Sequence, residues 1–147
     1  MPQVQAAVVR AQIEAILGAW GMEPDPVAIT AEAMVETDLM GIDSHGLSMV
    51  MAYEARHREG RLALNALPRT VSDLPAVALL DAGGGLGHPV TARAMDLATD
   101  KALVCGIGAV GVRNSHHFGA AGWYARRAAL RGCCGLVVST ARGIIMV

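Results

Sequence analysis

Apolar residues recur at helical spacing from the start of the chain, with Val4, Val8, Ala11 and Ala15 joined by Ile13, Ile16, Leu17 and Trp20. Gly21 and Pro24 stop this first helix. Asp25-Pro26 reads as an N-cap followed by proline at the first helical position, opening a second helix through Ala31, Val35 and Leu39 to Gly41. Ser44 can cap a third, running to about Gly60. A polar, proline-marked connector from Arg61 to Pro75 follows, and the period then changes. Ala76 to Leu80 reads as a strand, Thr91 to Leu103 as a helix, Ile107 to Val112 as a strand, Ala120 to Arg131 as a helix and Gly135 to Thr140 as a third strand. That alternation predicts an α/β sheet layered with helices. The chain divides accordingly into an N-terminal helical segment, residues 1–75, and the first, incomplete part of an α/β domain, residues 76–147.

Composition narrows the class of partner. Hydrophobic residues make up 53% of the 147 positions but aromatics only 3%, so the core is expected from Ala, Val, Leu, Ile and Met. A chain of this size buries about 70% of its unfolded surface, enough for one domain. The net charge of -1, from 12 Lys and Arg against 13 Asp and Glu, offers no basic face for nucleic acid, and a small-molecule partner is expected. No apolar run reaches the roughly 20 residues of a membrane span, and the first residues lack the pattern of a signal peptide. A cytoplasmic protein is therefore expected. Cys105 stands alone, while Cys133 and Cys134 are adjacent in a strand-like run and read as small buried hydrophobes rather than a disulfide or metal site. Val147 follows an apolar run with no closing helix or polar tail, so the chain is expected to be a fragment.

Two polar loops carry the candidate chemistry. Asn114-Ser115-His116-His117-Phe118-Gly119 sets two imidazoles between an apolar run and a helix start. Imidazole moves protons near neutral pH, and a helix start offers free N–H groups to an anion. Strand alternation would send His116 and His117 to opposite sides, so at most one points into a given site; the plain alternative is a strand-to-helix turn with one buried and one exposed histidine. Gly119, Ala120, Ala121 and Gly122 form a small-residue helix start where a ligand could approach the backbone.

Gly41-Ile42-Asp43-Ser44-His45-Gly46 has the same character. With Ser44 as N-cap, His45, Met49 and Tyr53 share one helix face, and the helix dipole disfavours protonated His45. Asp43 or Ser44 could orient that ring; equally, Ser44 only caps the helix and His45 is a surface residue. The turn Gly83-Gly84-Gly85-Leu86-Gly87 lacks the full G-x-G-x-x-G spacing and reads as a flexible turn rather than a phosphate cradle. No metal-ligand spacing links His45, His88, His116 and His117, so no metal is expected.

These segments, with Tyr53, Gly85-Leu86-Gly87-His88, Ala94-Met95, Val112-Arg113, Gly122 and Tyr124, resemble the type-2 malate/L-lactate dehydrogenase family, in order and over nearly the whole chain. Relatives in that family include ureidoglycolate and sulfolactate dehydrogenases and a reductase of the cyclic imine piperideine-2-carboxylate. The resemblance implies a three-layer α/β enzyme with a mixed, non-Rossmann sheet, working as a homodimer with NAD or NADP. It implies hydride exchange at the carbon next to the carboxylate of a small 2-hydroxy, 2-oxo or cyclic imino acid. His117 would accept the proton of the substrate hydroxyl, or Ser44 and His45 would form a relay. His117, Phe118, Gly119, Ala120 and Ala121, with Ala141, would contact the cofactor, and Tyr53 the substrate.

Two departures accompany the resemblance. Many members carry an arginine four residues after the Ser-His histidine, able to grip a carboxylate with two N–H donors. Here that position is Met49, and Arg56, two turns further along, is not an obvious substitute. Members are also longer, and the relay aspartate with much of the site lies outside this chain. The competing expectation is thus an inactive truncated fragment that at most acts as an association module.

Overall fold

The structure, a computed structural model, describes residues 4–140. Three helices come first: α1 (Ala6–Ala19), α2 (Pro24–Leu39) and, after a 3-10 turn at Leu47–Met49, α3 (Val50–Arg58). The order then runs β1 (Arg69–Asp73), β2 (Val77–Asp81), α4 (Gly87–Cys105), β3 (Ala109–Arg113) and α5 (Ala121–Ala129). β2 is the central strand of a small mixed sheet, antiparallel to β1 and parallel to β3, with Asp81 in register with Arg113. The result is a mixed α/β fold.

Burial explains this arrangement. Ile13 and Leu17 of α1, Met34 and Val35 of α2, and Tyr53 of α3 form one apolar cluster. Ala33 of α2 meets Ala92, Trp123 and Tyr124 in a second, so α2 is enclosed on two sides, by α1 and α3 and by α4 and α5. Leu80 of β2 packs with Val90 and Ala94 of α4 in a third, which Val110 and Val112 of β3 flank. The crossover from β2 through α4 to β3 makes the two strands parallel and brings their C-terminal ends together.

Several boundaries differ from expectation, each for a local reason. α2 starts at Pro24, one residue before Asp25, because first-turn N–H groups have no helical partner and both prolines fit there. β1 lies inside the expected connector; all five of its residues are exposed, so it carries no apolar alternation to reveal it. α4 starts at Gly87 rather than Thr91. Residues 135–140 form no strand, because none of the described residues pairs with them, and Leu136 and Val138 stay over 80% exposed. Cys134 is exposed and Cys133 only partly buried, correcting the expected burial: they follow the end of α5 rather than lying in a strand, while Cys105, the last residue of α4, is exposed.

Candidate active site

β2 and β3 end side by side at Asp81 and Arg113, and the two loops that follow them hold both the glycine turn and the histidine pair. In open α/β sheets the carboxyl ends of parallel strands are where ligands bind. Asp81 ties the loops at their roots: its carboxylate accepts from the Gly83 amide at 3.0 Å, the Asn114 side chain at 3.2 Å and Arg113 Nε at 3.0 Å. The Gly83 amide first, then Asn114, holds this carboxyl below the usual carboxylate range.

The glycine turn is pinned rather than flexible. Gly84 N donates to Asn114 O, Gly85 N to Ala82 O and Gly87 N to His117 O, while His116 N donates to Gly85 O. With those amides engaged, the turn has no row of free donors for a phosphate, in agreement with its incomplete spacing. Gly87 is required by close approach, since a Cβ there would lie 2.5 Å from His116 O and 2.7 Å from His117 O.

His116 and His117 do diverge, but not by strand alternation. β3 ends at Arg113, and Asn114 turns the chain with φ of 54°, a left-handed conformation that asparagine tolerates. His117 then faces α3, its Nδ1 2.8 Å from the Tyr53 hydroxyl, with the Gly119 amide donating to the same nitrogen at 3.3 Å. His116 faces the far end of α3: its Nε2 lies 2.7 Å from Arg61 O and its Nδ1 3.5 Å from Arg56 Nη1.

The second loop brings His45 to the same place, its ring centroid 5.4 Å from that of His117. Ser44 is not a helix cap, because the helix starts six residues later at Val50, and its Oγ lies 2.8 Å from His45 Nδ1. His45 therefore sits in a turn and not at the start of a helix dipole. Asp38, at the end of α2, anchors the turn by accepting from Leu47 N at 2.9 Å. Met49 packs against the first apolar cluster. Ser44, His45, His117 and Tyr53 thus lie in a row of proton-bearing groups, hydrogen-bonded in two pairs whose imidazoles face each other, exposed at Ser44 and buried at Tyr53.

Electrostatics disfavour charge on His117 and Tyr53. Burial first, then the positive ends of His45 and Arg56, lowers the His117 pKa below the ordinary imidazole value. Burial raises Tyr53 far above the usual phenol range, so it stays a neutral hydroxyl. Such a hydroxyl donates to an unprotonated Nδ1 and accepts from a protonated one, letting the other ring nitrogen be acceptor or donor. Behind Tyr53 lies His88, fully buried, edge-on to the phenol at 5.7 Å and pushed down to about 3 by burial and His117. Neither of its ring nitrogens has a partner among the described residues. Gly119 passes directly over it with φ of 74°, and a Cβ there would lie 2.8 Å from His88 Nε2.

Phe118 packs into the second apolar cluster, its carbonyl accepting from the Tyr124 hydroxyl. Ala120 is the N-cap of α5 and Ala121 its first residue, with no side chain capping the free amides. Ala141 lies outside the described residues. Sequence reasoning gave no site role to Asp38, a lone acid at a helix end, or to His88, quoted only as the histidine after a glycine turn. Arg56 does reach the site, because three residues after Tyr53 is one helical turn. Two surface hollows of about 460 and 390 Å³ lie elsewhere and include none of these histidines. The charged lining of the larger is partly neutralised by the Arg127–Asp96 pair, so the histidine row is the better chemical candidate.

The fold and this row define a class. The sequence profile of malate/L-lactate dehydrogenase matches residues 4–147, and the chain belongs to that family. It is 36% identical over 130 residues to a malate dehydrogenase of Pyrococcus abyssi, covering 88% of this chain and 36% of the relative. It is 35% identical over 127 residues to a (2R)-3-sulfolactate dehydrogenase (NADP(+)) of Chromohalobacter salexigens, covering 86% of this chain and 38% of the relative. The solved structure of the malate dehydrogenase from Pyrococcus horikoshii OT3 superposes with a TM-score of 0.86 at 36% identity, over 89% of this chain and 38% of that one. The chain therefore spans a little over a third of the length of these relatives.

Proposed function

We propose that the protein carrying this chain is an NAD(P)-dependent oxidoreductase that exchanges a hydride with a small 2-hydroxy, 2-oxo or cyclic imino carboxylic acid, as a homodimer. The single observation that supports it most is the row Ser44, His45, His117 and Tyr53 at the carboxyl ends of two parallel strands. Bound nicotinamide would supply the redox chemistry. The start of α5 suits such a cofactor through its uncapped amides and the small residues Gly119, Ala120 and Ala121; His117, Phe118 and Ala141 complete the proposed contacts. His117 takes the proton of the substrate hydroxyl on Nε2, from the tautomer in which Nδ1–H donates to Tyr53 Oη and the 3.3 Å contact from the Gly119 amide is given up. Tyr53 thereby also borders the substrate, and Ser44 with His45 passes the proton outward.

The test is turnover of a panel of 2-oxo acids with NADH and NADPH by the full-length protein, in parallel with His117→Ala and His45→Ala. Loss of a general acid or base costs about 10²–10⁴-fold. Rates unchanged by either substitution would remove the assigned roles. A second reading, that these 147 residues alone are an inactive association module, is favoured by the chain covering only 36% of the Pyrococcus abyssi relative.

A further inference from the structure

Arg56 is a half-buried guanidinium with no use in the reading above. Its neighbours on α3 and beyond have acidic partners, Arg58 with Glu54 and Arg61 with Glu59, whereas no carboxylate among the described residues pairs with Arg56. A half-buried cation without a carboxylate partner is free to pair with an incoming anion. Its direction is fixed by His116. His116 Nε2–H donates to Arg61 O at 2.7 Å, which leaves Nδ1 as the acceptor facing Arg56 Nη1 at 3.5 Å. Only one of the five guanidinium N–H groups is used in that contact, and Arg56 lies one helical turn from Tyr53, whose hydroxyl touches His117.

We infer that Arg56, held in place by the His116 ring, binds the carboxylate of the acid whose neighbouring carbon reacts beside His117 and Tyr53. This rests on the oxidoreductase reading and adds to it a substrate-binding residue, Arg56, and a positioning residue, His116. The charge of Arg56 is already felt at both Tyr53 and His117, where it favours the deprotonated forms, which places it within range of a substrate in contact with either.

The experiment uses the full-length protein and compares a 2-oxo acid with its neutral 2-oxo amide. Arg56→Gln is expected to raise KM for the acid on the order of 10–100-fold, leave KM for NAD(P)H unchanged and reduce the preference for acid over amide. Calorimetric binding of oxalate, an unreactive dianion, should weaken in parallel. Arg56→Lys should recover part of both. His116→Ala should raise KM for the acid with little change in kcat, and His116→Gln, which can still donate to Arg61 O and accept from Arg56, should restore it. Wild-type turnover of 2-oxo acids with unaltered KM and oxalate affinity in Arg56→Gln overturns the anchor and leaves the oxidoreductase reading standing. Absence of wild-type turnover with every acid removes that reading and the anchor with it.

Discussion

His117 is most useful to a hydroxyl oxidation when it is unprotonated, and its surroundings favour that form: burial, His45 and Arg56 all lower its pKa. The rate of oxidation should therefore hold down through the ordinary imidazole range near 6.5 and fall only at lower pH. Removing a positive charge makes protonation easier, so Arg56→Gln should move the acid limb of kcat/KM upward in pH; an unmoved limb would argue against their coupling. His88 makes a separate statement about stability. Its folded pKa, about 3, lies below its unfolded value, so the unfolded chain takes up a proton as pH falls below 6.5 while the folded chain does not. Stability from this group is complete above 6.5 and declines towards pH 3, by at most about 1.4 kcal/mol per pH unit. His88→Leu in the full-length protein should flatten the drop in unfolding free energy between pH 7 and pH 5. Equal drops in the two proteins would show that the buried ring is not what titrates.

The site is held by contacts between elements, and these differ in how far the sequence discloses them. At the α4 start, a Gly87 Cβ would collide with His116 O, His117 O and the Phe118 Cβ, none of which is a flexible side-chain end. Gly87→Ala should cost about 1–3 kcal/mol and lower kcat by displacing His117. Thermal unfolding and turnover measured together check this, and unchanged values of both would mean that the segment yields freely. Asp38→Ala frees Leu47 N and should cost about 1 kcal/mol, as loss of a cap does, while loosening His45. The histidine loops, the helical first third and the β2-α4-β3 alternation were legible because periodicity and polar loop composition are local. The true anchor of Leu47 was not, because Asp38 lies nine residues away and Ser44 offered the nearer, conventional cap. β1 was hidden by its wholly exposed sequence, Arg-Thr-Val-Ser-Asp, whose only signal is its pairing with β2. The proximity of His88 to Gly119 is a packing fact that no spacing encodes.

At the scale of the molecule, the helices are well enclosed and the sheet is not. β3 is bonded to β2 on one side and to nothing on the other among the described residues, which leaves a row of backbone donors and acceptors open. Val104 and Ile107, leading into β3, and Leu136 and Val138, beyond α5, are each at least 70% exposed. The Arg131–Asp100 pair ties the residues just beyond α5 to the C-terminal part of α4. Relatives with 36–38% of their length matched by this chain have further chain available to cover such surface. The 147 residues alone should therefore self-associate with rising concentration, whereas the full-length protein should sediment as a single species. They should also bind NADH or NADPH weakly at best, because the Gly83, Gly84, Gly85 and Gly87 amides are engaged internally, which leaves the proposed cofactor contact to the uncapped start of α5. Sedimentation velocity over a concentration series, with a parallel fluorescence titration of each nucleotide, measures both. A monodisperse monomer that binds either nucleotide tightly would mean that the open edge of β3 is tolerated and that one uncapped helix start suffices to hold the cofactor.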